Sequence, residues 1–333
     1  MNVLKAIQRY FQSLKRKKMF EKIAIIGGSG NVGSHIAFLG AMRHIAKEIL
    51  LFSNDIPRCK GVGLDISQAA AIFDIPILIK GCNSYEEIAE SEVVIITAGF
   101  PRTPNMTRND LLLKNASIIQ EISSNVARIA PQSLLIVVSN PLDAMCLVAK
   151  QWSKFEKERV IGMAGILDSA RLTYESKVML GDFNKHIQSY VIGSHSDDML
   201  PLLRHCLCEG KVFTDIFTPK MQEELIKETK GGGAKIVNYY QKGSAYFAPA
   251  TGVIKILEAI STLNEEILVC SVFTEGEYGI KDIYLGLPIK LGKKGVEHIV
   301  ELPLNQQEQE MLNISTQGIK EQVEILKDNK LLY

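Results

Sequence analysis

The sequence predicts an α/β fold built on a doubly wound parallel sheet and followed by a mixed α+β half. Three observations predict it. Short apolar runs recur through the first half and are too short for helices. Helical stretches alternate with them, as a parallel sheet with crossover helices requires. A glycine-rich turn follows the first run and opens a helix.

The first run, Lys22-Ile23-Ala24-Ile25-Ile26, reads as a buried parallel strand. It enters Gly27-Gly28-Ser29-Gly30-Asn31-Val32-Gly33, where Gly28, Gly30 and Gly33 match G-x-G-x-x-G between strand and helix. Gly28 is expected to permit the tight turn and Gly30 to let backbone approach a pyrophosphate. Gly33 should let helix and strand pack closely. The helix N-terminus adds free N–H groups and positive dipole. Ser29, Asn31 and Val32 belong to the same cofactor-binding turn. A second strand over 48–52 should end beside a ribose, where an acid is expected about 20 residues beyond the motif. Ser53 stands there, Asp55 comes two residues late, and Arg58 lies in the same loop. NAD is the expected cofactor, with NADP acceptance open because serine repels nothing.

Residues 75–79 form the third expected strand, with Pro76 at its start or on an edge. A fourth covers 93–97 and a fifth 134–138, ending at Ser139-Asn140-Pro141; a helix from about Asp110 to Ala130 separates them. Ligands of such sheets lie at the strands' carboxyl ends. Asn140 sits there as a ligand amide or as a turn residue before proline. Residues 99–109 hold two prolines and read as a mobile loop. Its Arg102 and Arg108 either close over an anion or are solvated surface charge.

After a strand at Val160-Ile161-Gly162, Asp168 and Arg171 would share one face of a helix. A run over 187–193 then delivers His195; a lone histidine after a strand is more often a structural, hydrogen-bonded residue than a proton carrier, and the residues around it must decide. A helical pattern over 223–240 is expected to break at Gly231-Gly232-Gly233. A C-terminal helix from about Asn305 to Lys330 places Leu312, Ile319, Val323 and Leu326 on one stripe. The expected division is a dinucleotide-binding domain over 19–163 and a substrate domain over 164–333.

Bulk properties exclude other classes. The chain has 333 residues and a formal charge of +1, which gives no pull towards nucleic acid or anionic membrane. No apolar run reaches the roughly 18 residues that span a bilayer. Six cysteines form no CxxC pair, so neither a metal site nor a disulfide framework is expected. Cys206 and Cys208 should share a strand face as free buried thiols of a reducing, cytoplasmic compartment. Residues 1–18 carry six basic residues and no acid, which leaves the remainder at −5. The segment suits a membrane-surface helix, a transit peptide or, the favoured reading, an extension upstream of a true start at Met19.

The motifs GGSGNVG, TAGFPRTPNMTRNDLL, SNPLDAM, LDSARL, GSHSDDMLP, GSAYFAPA and EGEYGIKDIYLGLPIKLG follow one another in family order. From about Phe20 onward the chain resembles the lactate/malate dehydrogenases, most closely the lactate dehydrogenase-like bacterial malate subgroup. The resemblance implies a Rossmann domain, an α+β substrate domain, oxidoreductase activity and a dimer-of-dimers assembly, dimer or tetramer. It implies His195 as acid/base, Asp168 as its partner, Arg171 as carboxylate clamp and Arg108 as the group polarising the carbonyl. Arg102 would read the second substituent and Asn140 would line the site. Asn115 and Val138 would stand beside the cofactor. The chain departs from the family at Ser53, which replaces an aspartate. It departs again at Ser196, which replaces a glycine and is expected to be less free to take positive φ.

Chemistry of the residues agrees with the resemblance. Histidine accepts the hydroxyl proton, a carboxylate fixes its tautomer, and a guanidinium forks onto a carboxylate. Three arginines around one small pocket favour a dicarboxylate, malate or oxaloacetate, over the monocarboxylate lactate. A dinucleotide-binding sensor without catalysis is the alternative of another class.

Overall fold

The structure, a computed structural model, describes residues 19–100, 106–262 and 266–333. Its first half runs β1 (Phe20–Ile26), α1 (Asn31–Met42), β2 (Ala46–Phe52), α2 (Ile56–Ala71), β3 (Leu78–Cys82) and β4 (Val93–Ile96). It continues with α3 (Arg108–Ile129), β5 (Leu134–Val137), α4 (Leu142–Ser153), β6 (Val160–Gly162) and α5 (Gly165–Leu180). The second half begins with β7 (Ile187–Gln188), β8 (Val191–Ile192), β9 (Leu200–Pro201), β10 (Leu207–Cys208) and β11 (Lys211–Val212). Then come α6 (Phe213–Ile216), α7 (Pro219–Tyr240), α8 (Phe247–Thr262), β12 (Leu268–Glu275), β13 (Lys281–Gly292), β14 (Gly295–Ile299) and α9 (Gln306–Asp328).

One nine-stranded sheet organises both halves, in the order β14-β13-β12-β6-β5-β4-β1-β2-β3. The six strands from the first half are mutually parallel, and Ile23 to Ile26 are buried because both faces of the sheet are covered. Register sets the functional edge. Ile26 pairs with Phe52 and Ile96, Ile96 with Val137, and Val137 with Gly162. The carboxyl ends therefore finish level, and Gly27, Ser53, Thr97, Val138 and Met163 emerge along one rim. At β6 the sheet turns antiparallel, where Gly162 pairs with Ser271 of β12.

Caps explain several boundaries. Thr107 and Asp110 form a reciprocal capping box that starts α3 at Arg108, so the proline-bearing loop ends two residues earlier than Asp110 suggests. Asn305 and Glu308 do the same for α9, whose Leu312, Ile319, Val323 and Leu326 are buried as their spacing predicts. Asp55 caps α2 by accepting from the Arg58 N–H.

Three elements differ from expectation. The third strand is Leu78–Cys82 rather than 75–79. Pro76, without an N–H, stays ahead of the sheet, and Gly81 allows α2 to approach, since a Cβ there would stand 2.8 Å from the Cys59 carbonyl carbon. The 187–193 run divides between two sheets, β7 pairing with β10 and β8 with β9. Helix α7 continues unbroken through Gly231-Gly232-Gly233, because tertiary packing against α5 overrides the poor helix propensity of glycine. All six cysteines are free and buried, although Cys206 lies just ahead of the strand that holds Cys208.

Two glycines in helices should respond oppositely to alanine. A Cβ on Gly33 would stand 2.5 Å from the Gly27 carbonyl oxygen, whereas one on exposed Gly61 meets nothing within 4 Å. Gly33→Ala should destabilise by about 1–3 kcal/mol. Gly61→Ala should stabilise by about 0.5–1 kcal/mol. Urea midpoints check both, and equal responses would contradict the packing described.

Candidate active site

The rim begins with the glycine turn. Positive φ, +90°, falls at Gly27 and not at Gly28, which corrects the role expected of Gly28. Gly28 is instead required for close approach, because a Cβ there would stand 2.8 Å from the Leu51 Cα. The N–H groups of Gly27 and Gly28 both donate to the Phe52 carbonyl and tie the turn to β2. Gly30 is the N-cap of α1 without any side-chain cap, and the first turn holds no acid. The dipole end at Asn31, Val32 and Gly33 is thus left for an anion. This bare cradle fits a dinucleotide pyrophosphate.

Beside it, the Ser53 hydroxyl lies 2.7 Å from that of Ser29, and Ser53 Oγ also accepts from the Asp55 N–H. With Asp55 committed to the α2 cap, the group at the end of β2 is an uncharged hydroxyl pair. Val138 is buried and donates its N–H to the Ile96 carbonyl. Asn115 is buried as well. Its Oδ1 accepts from the Phe100 N–H at 2.7 Å, and its Nδ2 donates to the carbonyls of Asn140, at 2.7 Å, and Phe100. Its side chain ties the loops after β4 and β5 together. Asn140 is exposed at the rim.

Asp168, Arg171 and His195 converge from two segments, α5 and the loop after β8. Asp168 lies in the first turn of α5 and is 2% exposed. One carboxylate oxygen stands 2.8 Å from His195 Nδ1; the other accepts from Arg171 Nη1, also at 2.8 Å. Asp168 and Arg171 share a helix face at three-residue spacing, as expected. The histidine loop is anchored where Gly193 and Gly286 exchange N–H···O bonds of 2.9 and 3.0 Å. Gly193 there takes φ +93°. Ser196 is not among the described residues with positive φ, so its replacement of glycine carries no strain. Its hydroxyl lies 2.7 Å from that of Ser194 and accepts from the Asp198 N–H. Arg108 stands exposed at the head of α3. Arg102 and the segment 1–18 lie outside the described residues.

Sequence reasoning missed a second buried carboxylate. Asp143, in the first turn of α4, accepts from the His195 backbone N–H at 3.0 Å and from the Ser271 hydroxyl at 2.6 Å. Its signal was a lone acid inside the apolar stretch Leu142 to Ala149. Burial raises its pKa above the ordinary carboxylate value, against the lowering effect of its two hydrogen bonds. For His195, burial alone favours the neutral ring. The charge and hydrogen bond of Asp168, aided by Asp143, outweigh burial and the nearby Arg171, so the pKa is raised. A cavity of about 640 Å³ between Phe20, Pro131 and Lys294 lies at the opposite, amino ends of the strands and carries none of these groups.

A dinucleotide cradle level with a carboxylate-oriented histidine and an arginine defines an oxidoreductase that works on a small acid. Comparison with known proteins makes the class specific. Residues 21–162 match the family model for the lactate/malate dehydrogenase NAD-binding domain, and residues 166–329 match the model for its alpha/beta C-terminal domain. The chain belongs to the lactate/malate dehydrogenase family, an NAD-dependent oxidoreductase family. A malate dehydrogenase of a Nitratiruptor species is 45% identical over 92% of this chain and 96% of its own. The crystal structure of Cryptosporidium parvum malate dehydrogenase has a TM-score of 0.89 at 36% identity, covering 93% of this chain and all of that one. A lactate dehydrogenase from Eimeria maxima, solved with NADH and oxamate, has a TM-score of 0.87 at 32% identity, covering 93% of this chain and 97% of that one. No helix among the described residues is long and apolar enough to cross a membrane.

The raised pKa of His195 has a signed consequence. Folded protein holds this proton more tightly than the unfolded chain does. The resulting stabilisation is fully present below pH 6.5, the ordinary value, and is lost as pH rises through the raised folded value. Urea midpoints measured from about pH 5 to about pH 9 should therefore fall more steeply for the native protein than for His195→Asn. Parallel curves would mean that His195 does not gain a proton on folding.

Proposed function

We propose that this chain catalyses the reversible NAD-dependent oxidation of (S)-malate to oxaloacetate, with residues 19–163 holding the dinucleotide and 164–333 the substrate. The observation that carries the reading is the single Asp168 carboxylate shared by His195 and Arg171 at the rim that also bears the glycine cradle. Bonded to Asp168 through Nδ1, His195 keeps Nε2 for the substrate hydroxyl, whose proton it accepts. Asp168 fixes that tautomer and stabilises the imidazolium. Arg171, held by one N–H of Nη1, keeps Nη2 and the second Nη1 N–H for the carboxylate beside C2. The nicotinamide, when bound at the cradle, supplies the hydride acceptor. Gly28, Gly30 and Gly33 admit its pyrophosphate, and Ser29 and Ser53 face its ribose. Asn115 acts through the loops it ties, and Asn140 lines the site.

Arg108 stabilises charge on the carbonyl oxygen in the reductive direction. Arg102 pairs with the distal carboxylate, which favours malate over lactate. Ser53 offers no charge against a 2′-phosphate, so NADP(H) is accepted beside NAD(H). The protein works in the cytoplasm, a setting that its six buried thiols suit. It assembles as a homo-oligomer, dimer or tetramer. Exposed Leu64, Ile72 and Phe73 on and just beyond α2 supply apolar surface for such an assembly.

Following NADH absorbance with oxaloacetate and with pyruvate tests the proposal. The native protein should strongly prefer oxaloacetate. Arg102→Gln should narrow that preference by about 30-fold or more, since an unpaired arginine facing a methyl costs roughly 2–5 kcal/mol. Ser53→Asp should abolish NADPH use and spare NADH. Native preference for pyruvate would overturn the assignment of malate, and no turnover with either acid would overturn catalysis.

A further inference from the structure

The glycine run of α7 costs helix stability that α7 does not recover by itself. Glycine is the poorest helix former after proline, yet three stand together inside a 22-residue helix that stays helical. Their surroundings differ. A Cβ on Gly231 would meet nothing within 4 Å. One on Gly232 would stand 3.2 Å from Arg171 Cδ, and one on Gly233 3.1 Å from Arg171 Nη2. Helices α5 and α7 pack on each other here, and the Arg171 side chain is 16% exposed.

On its far side, Arg171 is pinned to Asp168 through Nη1, and Asp168 is itself engaged by His195. Arg171 Nε is buried and makes no hydrogen bond within the described structure. The α7 side therefore holds the guanidinium by shape and not by bonds. We propose that Gly232 and Gly233 are positioning residues: their bare backbone is the seat that sets the guanidinium of Arg171 in place for a substrate carboxylate. The inference rests on the reading of Arg171 as the carboxylate clamp. A methyl on either glycine forces Arg171 to yield by a few tenths of an ångström. With Nη1 tied to Asp168, the displacement falls on Nη2, which with the second N–H of Nη1 forms the end left for a carboxylate. Loss of helix stability cannot mimic this effect, because alanine strengthens an α-helix.

Four variants test the seat: Gly231→Ala, Gly232→Ala, Gly233→Ala and the Gly232→Ala/Gly233→Ala double. The readouts are kcat and KM for oxaloacetate, NADH affinity by fluorescence, and Tm. Gly231→Ala should raise Tm and leave KM unchanged. Gly232→Ala and Gly233→Ala should raise KM about tenfold, a fraction of the roughly 10²-fold attached to a 1 Å misplacement. NADH affinity should be unchanged, kcat should stay within a few fold, and the double variant should show a larger rise in KM. Arg171→Lys supplies a second measurement, since lysine has no Nη2: adding Gly233→Ala to it should change KM no further. Unchanged KM in both single variants, with an active parent, would overturn the seat and leave the proposed function standing. An equal KM rise in Gly231→Ala would also overturn it, pointing to helix mobility. Variants too unstable to assay would overturn it as well, by showing that the glycines serve packing. A parent inert towards oxaloacetate would overturn both readings.

Discussion

The Asp168 carboxylate is the contact on which the rest of the site depends. It is 2% exposed, and a buried carboxylate without partners is costly enough to be driven to its neutral form. Here His195 takes one oxygen and Arg171 the other, each at 2.8 Å. His195 and Arg171, the proposed base and clamp, are therefore fixed relative to each other by one group, and neither can shift without leaving a buried charge unpaired. The helix itself supplies half of this geometry, since residues three apart on α5 face the same way. The other half needs a loop from elsewhere in the chain, tethered at Gly193 to Gly286 of β13.

Sheet register extends the same constraint to the cofactor end. Strands β1, β2, β4, β5 and β6 finish level, so five loops leave at one height. Buried polar side chains then hold those loops to one another. Asn115 ties the loop after β4 to the loop after β5. Asp143 joins the head of α4 to the histidine backbone and to Ser271 of β12. Such groups are satisfied by partners in fixed directions, and a satisfied buried network rigidifies what it touches. The glycine cradle completes the edge by close approach: Gly28 lies on β2 and Gly33 on the Gly27 carbonyl.

Much of this was legible in the sequence where a local rule sufficed. Short apolar runs named β1, β2, β4 and β5, and the G-x-G-x-x-G setting named the cradle. The spacing of Asp168 and Arg171 named a shared helix face. Legibility failed where tertiary contact decided. In Leu78 to Cys82 the apolar run of Leu78 and Ile79 is cut by Lys80 and Gly81, yet the strand continues through them because Gly81 lets α2 pack over it. Gly231 to Gly233 read as a break, but the helix that packs on α7 there, α5 with Arg171, lies about 60 residues away in the chain. Asp143 carried only a weak local signal, a lone acid in an apolar stretch, because acids are favoured at a helix N-terminus anyway and its partners, His195 and Ser271, are remote in the chain.

The most direct test of the central claim is steady-state kinetics of Asp168→Ala, with kcat, KM for oxaloacetate and NADH affinity measured in one preparation. Alanine removes both acceptor oxygens, so neither the Nδ1–H of His195 nor the Nη1–H of Arg171 keeps its partner. If one carboxylate organises both groups, kcat should fall by about 10²-fold or more while KM rises, with NADH affinity unchanged. A fall in kcat with native KM would contradict the account, because it would mean that Arg171 is held in place without Asp168.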